Sequence, residues 1–212
     1  LFVLDNRYND PNRKPEKATN AEVGAKYYNN GFSAGITLFD SELEDVVSNK
    51  GQEMTNVGKL TNKGANAFAG YEVGDLSTRH SYSQSSPKLD GEPLTDDNMT
   101  IGTSVGDTWI LDFIYQPQET MEFGWNTKIV ERLTETGNSV TENEKAGYSV
   151  HDLYARWMPL TDEELAVTLS VKNVFNEYYF DHASYYVYGD STVARGFANA
   201  GRDIRFNVSW SF

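Results

Sequence analysis

The feature that most constrains this chain is a two-residue alternation of apolar and polar side chains, repeated in separate segments. The clearest case is the last segment, whose alternating apolar residues are Ile204, Phe206, Val208, Trp210 and Phe212. Because successive side chains of a strand point to opposite faces, this spacing puts every bulky apolar group on one face. The pattern recurs, strongly or weakly, at 23–27, 32–38, 63–73, 75–84, 109–115, 121–125, 148–158 and 165–171. It predicts an all-β chain of about nine strands.

The connections between these segments alternate in length. Short turns rich in Asn, Gly, Pro and Asp are predicted at 29–31, 74–75, 116–119 and 159–163. Between them lie long polar segments, predicted to be loops, at 40–62, 85–106, 134–147 and 173–200. Loops of this length are uncommon in compact soluble domains, whereas bacterial outer-membrane barrels have short periplasmic turns and long external loops. The alternation therefore predicts a transmembrane antiparallel β-barrel.

Residue types along the chain fit such a barrel. A membrane helix needs roughly 20 apolar residues in a row, but a transmembrane strand needs only about 9–11 and is apolar at every second position. Aromatic residues fall at predicted strand ends, as in barrel girdles: Tyr27, Tyr71, Trp109, Trp157 and Trp210. The alternative is a soluble β-sandwich or β-helix, which would need a second sheet to cover the aromatic faces.

Charge and motifs exclude several function classes. The net charge of -13 argues against nucleic acid as a partner, because binding phosphates requires basic patches. Cysteine is absent, so the chain has no disulfide framework and no thiolate metal site. The sequence contains no nucleophile elbow, phosphate loop, zinc-protease motif or dinucleotide fingerprint. We therefore expect no enzyme; an outer-membrane protease or phospholipase barrel is the alternative, hinted at only by Asp181 beside His182.

The strand count suggests a part of a larger barrel. Single-chain bacterial barrels have an even number of strands and periplasmic termini, so the first of about nine strands would begin outside the cell. We therefore expect at least one earlier strand to precede the chain. The first residues, Leu1 to Asp5, have neither the basic region nor the cleavage site of a signal peptide.

Several segments resemble, in order, the C-terminal part of TonB-dependent outer-membrane receptors. Residues 10–16, Asp-Pro-Asn-Arg-Lys-Pro-Glu, resemble this family's Asn-Pro-Asn-Leu-Lys-Pro-Glu box, departing at Asp10 and Arg13. Further similar segments are 35–47, 56–64, 171–179 (Val-Lys-Asn-Val-Phe-Asn-Glu-Tyr-Tyr) and 201–212. The resemblance implies that residues 1–212 form the C-terminal part of a plugged barrel of about 22 strands. The plug and the segment that contacts TonB would both lie N-terminal to this chain.

Two segments resemble the haem and haemoglobin receptors within that family. They are Ala200-Gly201-Arg202-Asp203, where siderophore receptors more often carry Pro-Arg, and residues 147–154. The resemblance implies uptake of iron as haem or from a haem protein, energised through TonB, with no intrinsic cofactor and with haem as the transported ligand. A haem-ligating histidine of the family's upstream loop would precede Leu1. The alternatives are a ferric-siderophore receptor and, from another class, a passive porin or adhesion barrel.

Three histidines bear on the ligand. His80 and His151 fall in predicted strands and are expected to be ordinary polar strand residues. His182 lies in the last long loop among aromatic residues, and neutral imidazole and phenolate both ligate haem iron. The candidate ligand-binding residues are therefore His182, Tyr185, Tyr186 and Tyr188. The alternative is an aromatic loop packed over the barrel mouth, with His182 merely exposed.

The remaining polar segments carry weaker predictions. The acidic loop 90–98 suggests calcium but lacks EF-hand spacing, so a solvated loop is favoured and any metal stays unknown. The charge runs 42–45 and 142–145 are likewise predicted to be solvated. Asp203 and Arg205 are expected to face the lumen, where they would pair with each other or contact the plug.

The last predictions concern the final strand, the cellular location and the partners. Alternating apolar residues in the last strand resemble the assembly signal of outer-membrane barrels: Phe206, Val208, Trp210 and Phe212. The expected location is the bacterial outer membrane. The expected partners are the TonB complex, the iron ligand, and outer-membrane lipid with lipopolysaccharide.

Overall fold

The regular secondary structure of the described residues is almost entirely antiparallel β-strand. The computed structural model describes residues 10–50, 53–98, 100–134, 144–160, 165–187 and 194–211. Its strands are β1 (Lys17–Asn29), β2 (Phe32–Lys50), β3 (Glu53–Val73), β4 (Leu76–Leu89), β5 (Glu92–Pro93), β6 (Thr108–Gln118), β7 (Met121–Val130), β8 (Tyr148–Trp157), β9 (Leu165–Lys172), β10 (Tyr185–Val187), β11 (Ala194–Gly196) and β12 (Asp203–Trp210). A 3-10 turn spans Asp96–Asn98. No helix in the described part is long and apolar enough to cross a membrane.

Nine strands form one continuous sheet in the order β1-β2-β3-β4-β6-β7-β8-β9-β12. The prediction of an all-β chain with about nine strands is therefore confirmed. The short β5 pairs with β4 as a tenth strand, and β10 with β11 forms a separate hairpin. Each strand of the main path is antiparallel to its neighbours, as in an up-and-down barrel. β1 and β12 are the two edges of the sheet, which does not close on itself.

The strand register puts apolar side chains on one face of the sheet. One row of cross-strand partners runs through Leu76, Tyr115, Phe123, Ala155, Leu169 and Phe206. Phe206 is 69% exposed and Leu169 is 48% exposed, so none of the described residues covers this row. A soluble sandwich would require a second sheet over it, and none lies within the described residues. The aromatic residues predicted at strand ends are also exposed: Tyr27, Tyr71, Trp109, Trp157 and Trp210.

The opposite face of the sheet is polar. The partners Arg79, Asp112, Asn126 and Asp152 form one row across four neighbouring strands. The Asn126 amide donates a hydrogen bond to Asp112 Oδ1 at 2.6 Å, so the row is cross-linked. An apolar outer face and a polar inner face are the signature of a transmembrane barrel.

The segment 40–62, predicted to be a loop, is mostly strand. β2 and β3 continue their antiparallel pairing from Asp40↔Lys63 to Lys50↔Glu53. The prediction was wrong because alternation marks only the part of a strand that contacts lipid, whereas backbone pairing continues in water with polar residues on both faces. At about 3.4 Å per residue, the 19 residues of β2 span about 60 Å, far beyond a bilayer core. We call β2 from Asp40 and β3 to Lys63 the external hairpin.

Other connections follow the prediction more closely. The tight turns are confirmed at Asn30-Gly31, with φ of 46° and 79°, and at Gly74, with φ of 56°. The predicted loop 85–106 begins later than expected, because β4 runs on to Leu89. The predicted loop 173–200 contains the β10–β11 hairpin. Most of the predicted loop 134–147 lies outside the described residues.

Candidate functional site: the loop cluster

Three long connections meet at the end of the sheet opposite the tight turns. They join β5 to β6, β7 to β8, and β9 to β10. Side chains and backbone groups of all three come together in a group that we call the loop cluster: Asp96, Thr103, Gly106, Lys145, Ala146, Tyr148, Asp181 and His182. In a barrel with short periplasmic turns, this is the external end.

Lys145 lies at the centre of the loop cluster. Its side chain is fully buried, and Nζ lies 2.8 Å from Asp96 Oδ1 in an ion pair whose partner is 3% exposed. The same ammonium donates hydrogen bonds to Thr103 Oγ1 at 3.1 Å and to the carbonyl oxygen of His182 at 2.9 Å. One lysine therefore joins all three connections. Removing one partner of such a buried pair typically costs about 3–5 kcal/mol, because the other charge stays buried.

His182 is held in the loop cluster by two backbone groups. Its side chain is fully buried. The Gly106 N–H donates to Nδ1 at 3.1 Å, and Nε2 lies 3.0 Å from the carbonyl oxygen of Ala146. These partners assign the neutral tautomer with the proton on Nε2, since Nδ1 must accept. Burial lowers the pKa of His182, which agrees with a neutral ring.

Asp181 carries the second ion pair of the loop cluster. Its Oδ2 accepts hydrogen bonds from Lys128 Nζ at 2.9 Å and from the Tyr148 hydroxyl at 2.8 Å. Burial alone would raise the pKa of the Asp181 carboxyl, but hydrogen bonds from Lys128, the Ala183 N–H and Tyr148 lower it to about 2. The Tyr148 ring stacks on Tyr179 with centroids 4.4 Å apart, so the last connection is also held by aromatic packing.

The structure describes the predicted ligand-binding residues to different extents. His182 is described in full, and the alternative of an exposed His182 is wrong. Because both ring nitrogens have backbone partners, ligation by His182 would require the ring to leave the cluster. Tyr185 and Tyr186 lie on β10, paired with Gly196 and Arg195, and only their backbone is described. Tyr188 lies outside the described residues.

The other predicted residues fall on the two faces of the sheet. Asp203 and Arg205 lie on the polar face, opposite Lys172 and Ser170, and they hydrogen-bond to each other at 2.6 Å. Phe206, Val208 and Trp210 lie on the apolar face of β12; Phe212 lies outside the described residues.

Both remaining histidines belong to the apolar face. His80 lies between Ala69 and Leu111, and its Nε2 lies 2.8 Å from the Thr78 hydroxyl. His151 lies opposite Thr127, whose hydroxyl is 2.9 Å from the ring. They are strand residues, as predicted.

Two carboxylates in the acidic segments predicted to be solvated make contacts with other parts of the chain. Asp90 accepts a hydrogen bond from the Lys59 N–H at 2.8 Å, and Asp96 pairs with Lys145. Within the described residues, no group of three or more His, Asp or Glu side chains could hold a metal. Lys145 itself was predicted to be solvated, and that was wrong. Nothing distinguishes Lys145 from its charged neighbours in sequence, because its burial depends on connections distant in the chain.

The segment 10–16, which resembles the family's box, is hydrogen-bonded to the external hairpin. The Lys14 N–H donates to Asn56 Oδ1 at 2.7 Å, and Asn56 Nδ2 donates to the carbonyl oxygens of Lys14 and Asp45 at 3.0 and 2.5 Å. The Glu16 carboxylate accepts from the Val47 N–H at 2.7 Å. Asp45 has a φ of 55° and lies at a register shift, so these bonds complete the pairing that the irregular strand loses.

The segment 171–179 is shaped by its two asparagines. Asn173 and Asn176 adopt φ of 50° and 56°, a region in which Asn is tolerated better than most residues. Asn173 is buried, and its side chain binds the backbone of Glu177 and of Ala200. Asn176 Oδ1 accepts from the Arg202 N–H at 2.9 Å. The start and the end of the last connection are thus joined before β12 begins.

Known proteins share this fold and sequence pattern. A family model described as "TonB dependent receptor-like, beta-barrel" matches residues 3–174. The heme transporter BhuA of Brucella ovis is 25% identical over 182 residues, which cover 84% of this chain and 27% of that protein. The chain therefore spans about a quarter of the curated relatives' length.

Solved structures agree with the family model. The FrpB iron transporter from Neisseria meningitidis (F3-3 variant) is 27% identical, with a TM-score of 0.80 over 95% of this chain and 32% of that one. The ferric citrate transporter FecA is 19% identical with a TM-score of 0.72, covering 93% of this chain and 32% of its own, which supports the fold alone. The matched family consists of transport receptors, so the prediction of no enzyme is confirmed. The chain belongs to the TonB-dependent receptor family, as part of its β-barrel in the bacterial outer membrane.

Proposed function

We propose that this chain is part of a receptor that takes up iron as haem, or from a haem protein, with energy supplied through TonB. The observation that carries the proposal is the 25% identity to a protein named heme transporter over 84% of the chain. A similar solved structure at 27% identity is named an iron transporter, which supports uptake of an iron compound. The segment Gly201-Arg202-Asp203, which resembles haem receptors, supports haem as the compound.

The polar face suits a lumen through which a polar or charged compound passes. Its rows of charged and amide side chains are cross-linked, as by Asn126 with Asp112 and by Lys172 with Asp152 at 2.8 Å. At the external end, the loop cluster joins three connections into one unit. We infer that ligand capture takes place on this unit and that the N-terminal plug of the whole receptor closes the lumen beneath it.

Haem contact is proposed for the tyrosines of the last connection. Tyr185 and Tyr186 are adjacent on β10, the first strand of the β10–β11 hairpin. Tyr188 follows them and stays a candidate. We propose that the His182 imidazole becomes available to iron only if the loop cluster opens, since its two backbone hydrogen bonds must first break.

The test is a hemin titration of the receptor purified from outer membranes, followed by the Soret band. We expect a saturable shift at micromolar hemin, weakened by replacing Tyr185, Tyr186 and Tyr188 with Phe, which removes phenolate ligands but keeps the rings. Tyr71→Phe, at the tight-turn end, is the matched control. Absence of a shift at micromolar hemin would refute haem as the ligand. A ferric siderophore that quenches receptor fluorescence saturably would then identify the alternative.

A further inference from the structure

The polar face of the sheet carries an arginine without an acidic partner. Arg79 on β4 lies directly opposite Asp112 on β6. Its neighbours on that face are bonded to one another, since Asp112 accepts a hydrogen bond from Asn126 at 2.6 Å. Asp152 likewise forms an ion pair with Lys172 at 2.8 Å. The Arg79 guanidinium forms no ion pair and no hydrogen bond within the described residues, and the side chain is exposed to the lumen.

Arg79 stacks instead on an aromatic ring. Its Cζ lies 4.1 Å from the ring centroid of Phe68 on β3. The ring fits there because its partner on β2 is Gly35, where an added Cβ atom would lie 2.5 Å from Phe68 Cε1. Stacking fixes the plane of the guanidinium and leaves the N–H donors at its edge uncovered. An arginine held in this way is preorganised for a planar acceptor that takes two hydrogen bonds, such as a carboxylate.

A polar cavity of about 220 Å³ lies beside this arginine. It extends along β4 from Arg79 to Ser83, four residues or about 14 Å towards the external end. The Ser83 hydroxyl donates to Asn66 Oδ1 at 2.7 Å, which leaves the Nδ2 donors of Asn66 for a bound acceptor. Hydroxyl groups complete the polar lining, from Thr37, Ser81 and Thr108. Among the described residues that line the cavity, only Arg79 is charged.

Size and position indicate what this cavity can hold. Whole small-molecule sites usually measure about 300–1,000 Å³, so the cavity admits one arm of a ligand rather than the whole. Its upper rung, Ser83↔Thr108, is the last of the β4–β6 pairing. The Thr108 hydroxyl donates to the carbonyl oxygen of Gly106 at 3.0 Å, so the cavity begins where the loop cluster ends. A ligand that leaves the loop cluster for the lumen would meet the cavity first and Arg79 below it.

We propose that Arg79 and this cavity bind a carboxylate of the transported iron compound as it enters the lumen. The proposal rests on the uptake function proposed above, under which the compound is haem, whose propionate arms end in carboxylates. The carboxylate would accept hydrogen bonds from the edge of the Arg79 guanidinium and from Asn66 Nδ2, while the porphyrin stays in the lumen. No acidic side chain lines the cavity to repel it.

The test compares uptake with capture in the whole receptor, present in outer membranes as the cell's only haem receptor. In Arg79→Gln we expect hemin uptake about tenfold slower, because a charge-assisted pair is lost. The midpoint of the hemin titration at the Soret band should not change, because capture takes place at the loop cluster. Hemin dimethyl ester, whose propionates carry no charge, should be taken up at the same rate by the variant and the wild type.

The matched control is Arg156→Gln. Arg156 is another arginine of the polar face, opposite Glu122 and outside the cavity. Its replacement should leave hemin uptake unchanged. Phe68→Leu is a second variant, which keeps the charge of Arg79 but removes the ring on which it stacks, and it should slow uptake less than Arg79→Gln. An unchanged rate in Phe68→Leu would contradict the preorganising role of the ring. Retention of the heat-sensitive electrophoretic mobility of folded barrels verifies the fold of each variant.

Two results would overturn the carboxylate site. The first is equal hemin uptake by Arg79→Gln and the wild type. The second is an equal fractional loss for hemin and its dimethyl ester, which would assign Arg79 to an acidic side chain of the plug. Failure of the proposed function is distinct, since the wild type would then neither shift the Soret band nor take up hemin. The same variants are in that case compared with ferric citrate, which carries carboxylates, and a ferric hydroxamate; a loss confined to ferric citrate supports the site, and any other pattern overturns it.

Discussion

The external hairpin and the loop cluster stand at the same end of the sheet but are stabilised in opposite ways. The hairpin continues the backbone pairing of β2 and β3, and its ion pairs, such as Lys59 with Glu42 at 2.7 Å, are partly exposed. The loop cluster depends on a few fully buried side chains, above all Lys145 and His182. Stability is therefore distributed along the hairpin and concentrated in the cluster. Single substitutions should therefore destabilise the cluster much more than the hairpin.

The largest effect is expected from Lys145→Met. This substitution leaves the Asp96 carboxylate buried without its cation, which costs about 3–5 kcal/mol. We expect the free energy of local opening to fall by that amount in hydrogen exchange measured on the receptor, at the amides of Gly106 and Leu133. Unchanged protection of those amides would contradict the central role of Lys145.

A second variant separates the buried charge from the lost packing. When Lys145→Met is combined with Asp96→Leu, both charges of the buried pair are removed. Replacing a whole buried ion pair by apolar residues is often neutral. The double variant should therefore recover most of the protection lost in the single one; failure to recover would mean that the hydrogen bonds to Thr103 and His182 are the larger contribution.

The next largest effect is expected from His182→Ala. It removes the acceptor of the Gly106 N–H and the donor to the Ala146 carbonyl, and an unsatisfied buried group costs about 1–3 kcal/mol. Faster exchange should appear at Gly106. His80→Ala, which removes a histidine from the apolar face, is the control and should leave Gly106 unchanged. Equal exchange in both variants would show that the His182 hydrogen bonds do not determine the protection of the Gly106 amide.

Acid should weaken the loop cluster but not the hairpin. The pKa of His182 is lowered by burial, so the opened cluster binds a proton more readily than the closed one. The stability that His182 contributes is present above the ordinary histidine pKa of about 6.5 and is lost as the pH falls below it, by at most about 1.4 kcal/mol per pH unit. The contribution of Asp181, whose pKa is about 2, is lost only below the ordinary value of 3.8.

The measurement is the exchange of the Gly106 amide between pH 7 and pH 5, corrected for intrinsic rates. Protection should decrease toward pH 5 in the wild type and stay constant in His182→Gln, which does not titrate. Amides of the external hairpin, such as Leu60, provide the internal comparison. A parallel decrease in the variant would assign the pH dependence to another group.

The same contrast explains what the sequence could predict. The faces of the sheet follow from local alternation, so the strand count, the tight turns and the outward Trp210 were predicted from sequence alone. The external hairpin was predicted to be a loop because its strands, once outside lipid, need no apolar face. Lys145 was missed because its partners Asp96 and His182 lie 49 and 37 residues away in the chain, and no local pattern encodes such a meeting.

A smaller effect is expected from Asn56→Ala in the external hairpin. The substitution removes side-chain hydrogen bonds to the backbone of Lys14 and Asp45, which are partly exposed and therefore contribute about 0.5–1.5 kcal/mol each. Limited proteolysis near residues 10–16 should become faster. Asn66→Ala on β3 is the control, since that residue lies within regular pairing and far from the box. Equal cleavage rates would show that the box is held by other contacts.

The smallest effect is expected from Lys59→Met. The pair with Glu42 is formed by side chains that are 46% and 35% exposed, and water replaces either partner at little cost. Such pairs contribute about 0–1 kcal/mol, several-fold less than the buried pair of Lys145. Exchange at the amide of Leu60 should therefore change by less than about tenfold, within the 1.4 kcal/mol that a tenfold change represents. Both substitutions replace a lysine with methionine. A similar loss of amide protection at both sites would therefore show that burial does not explain the difference in stability between the hairpin and the cluster.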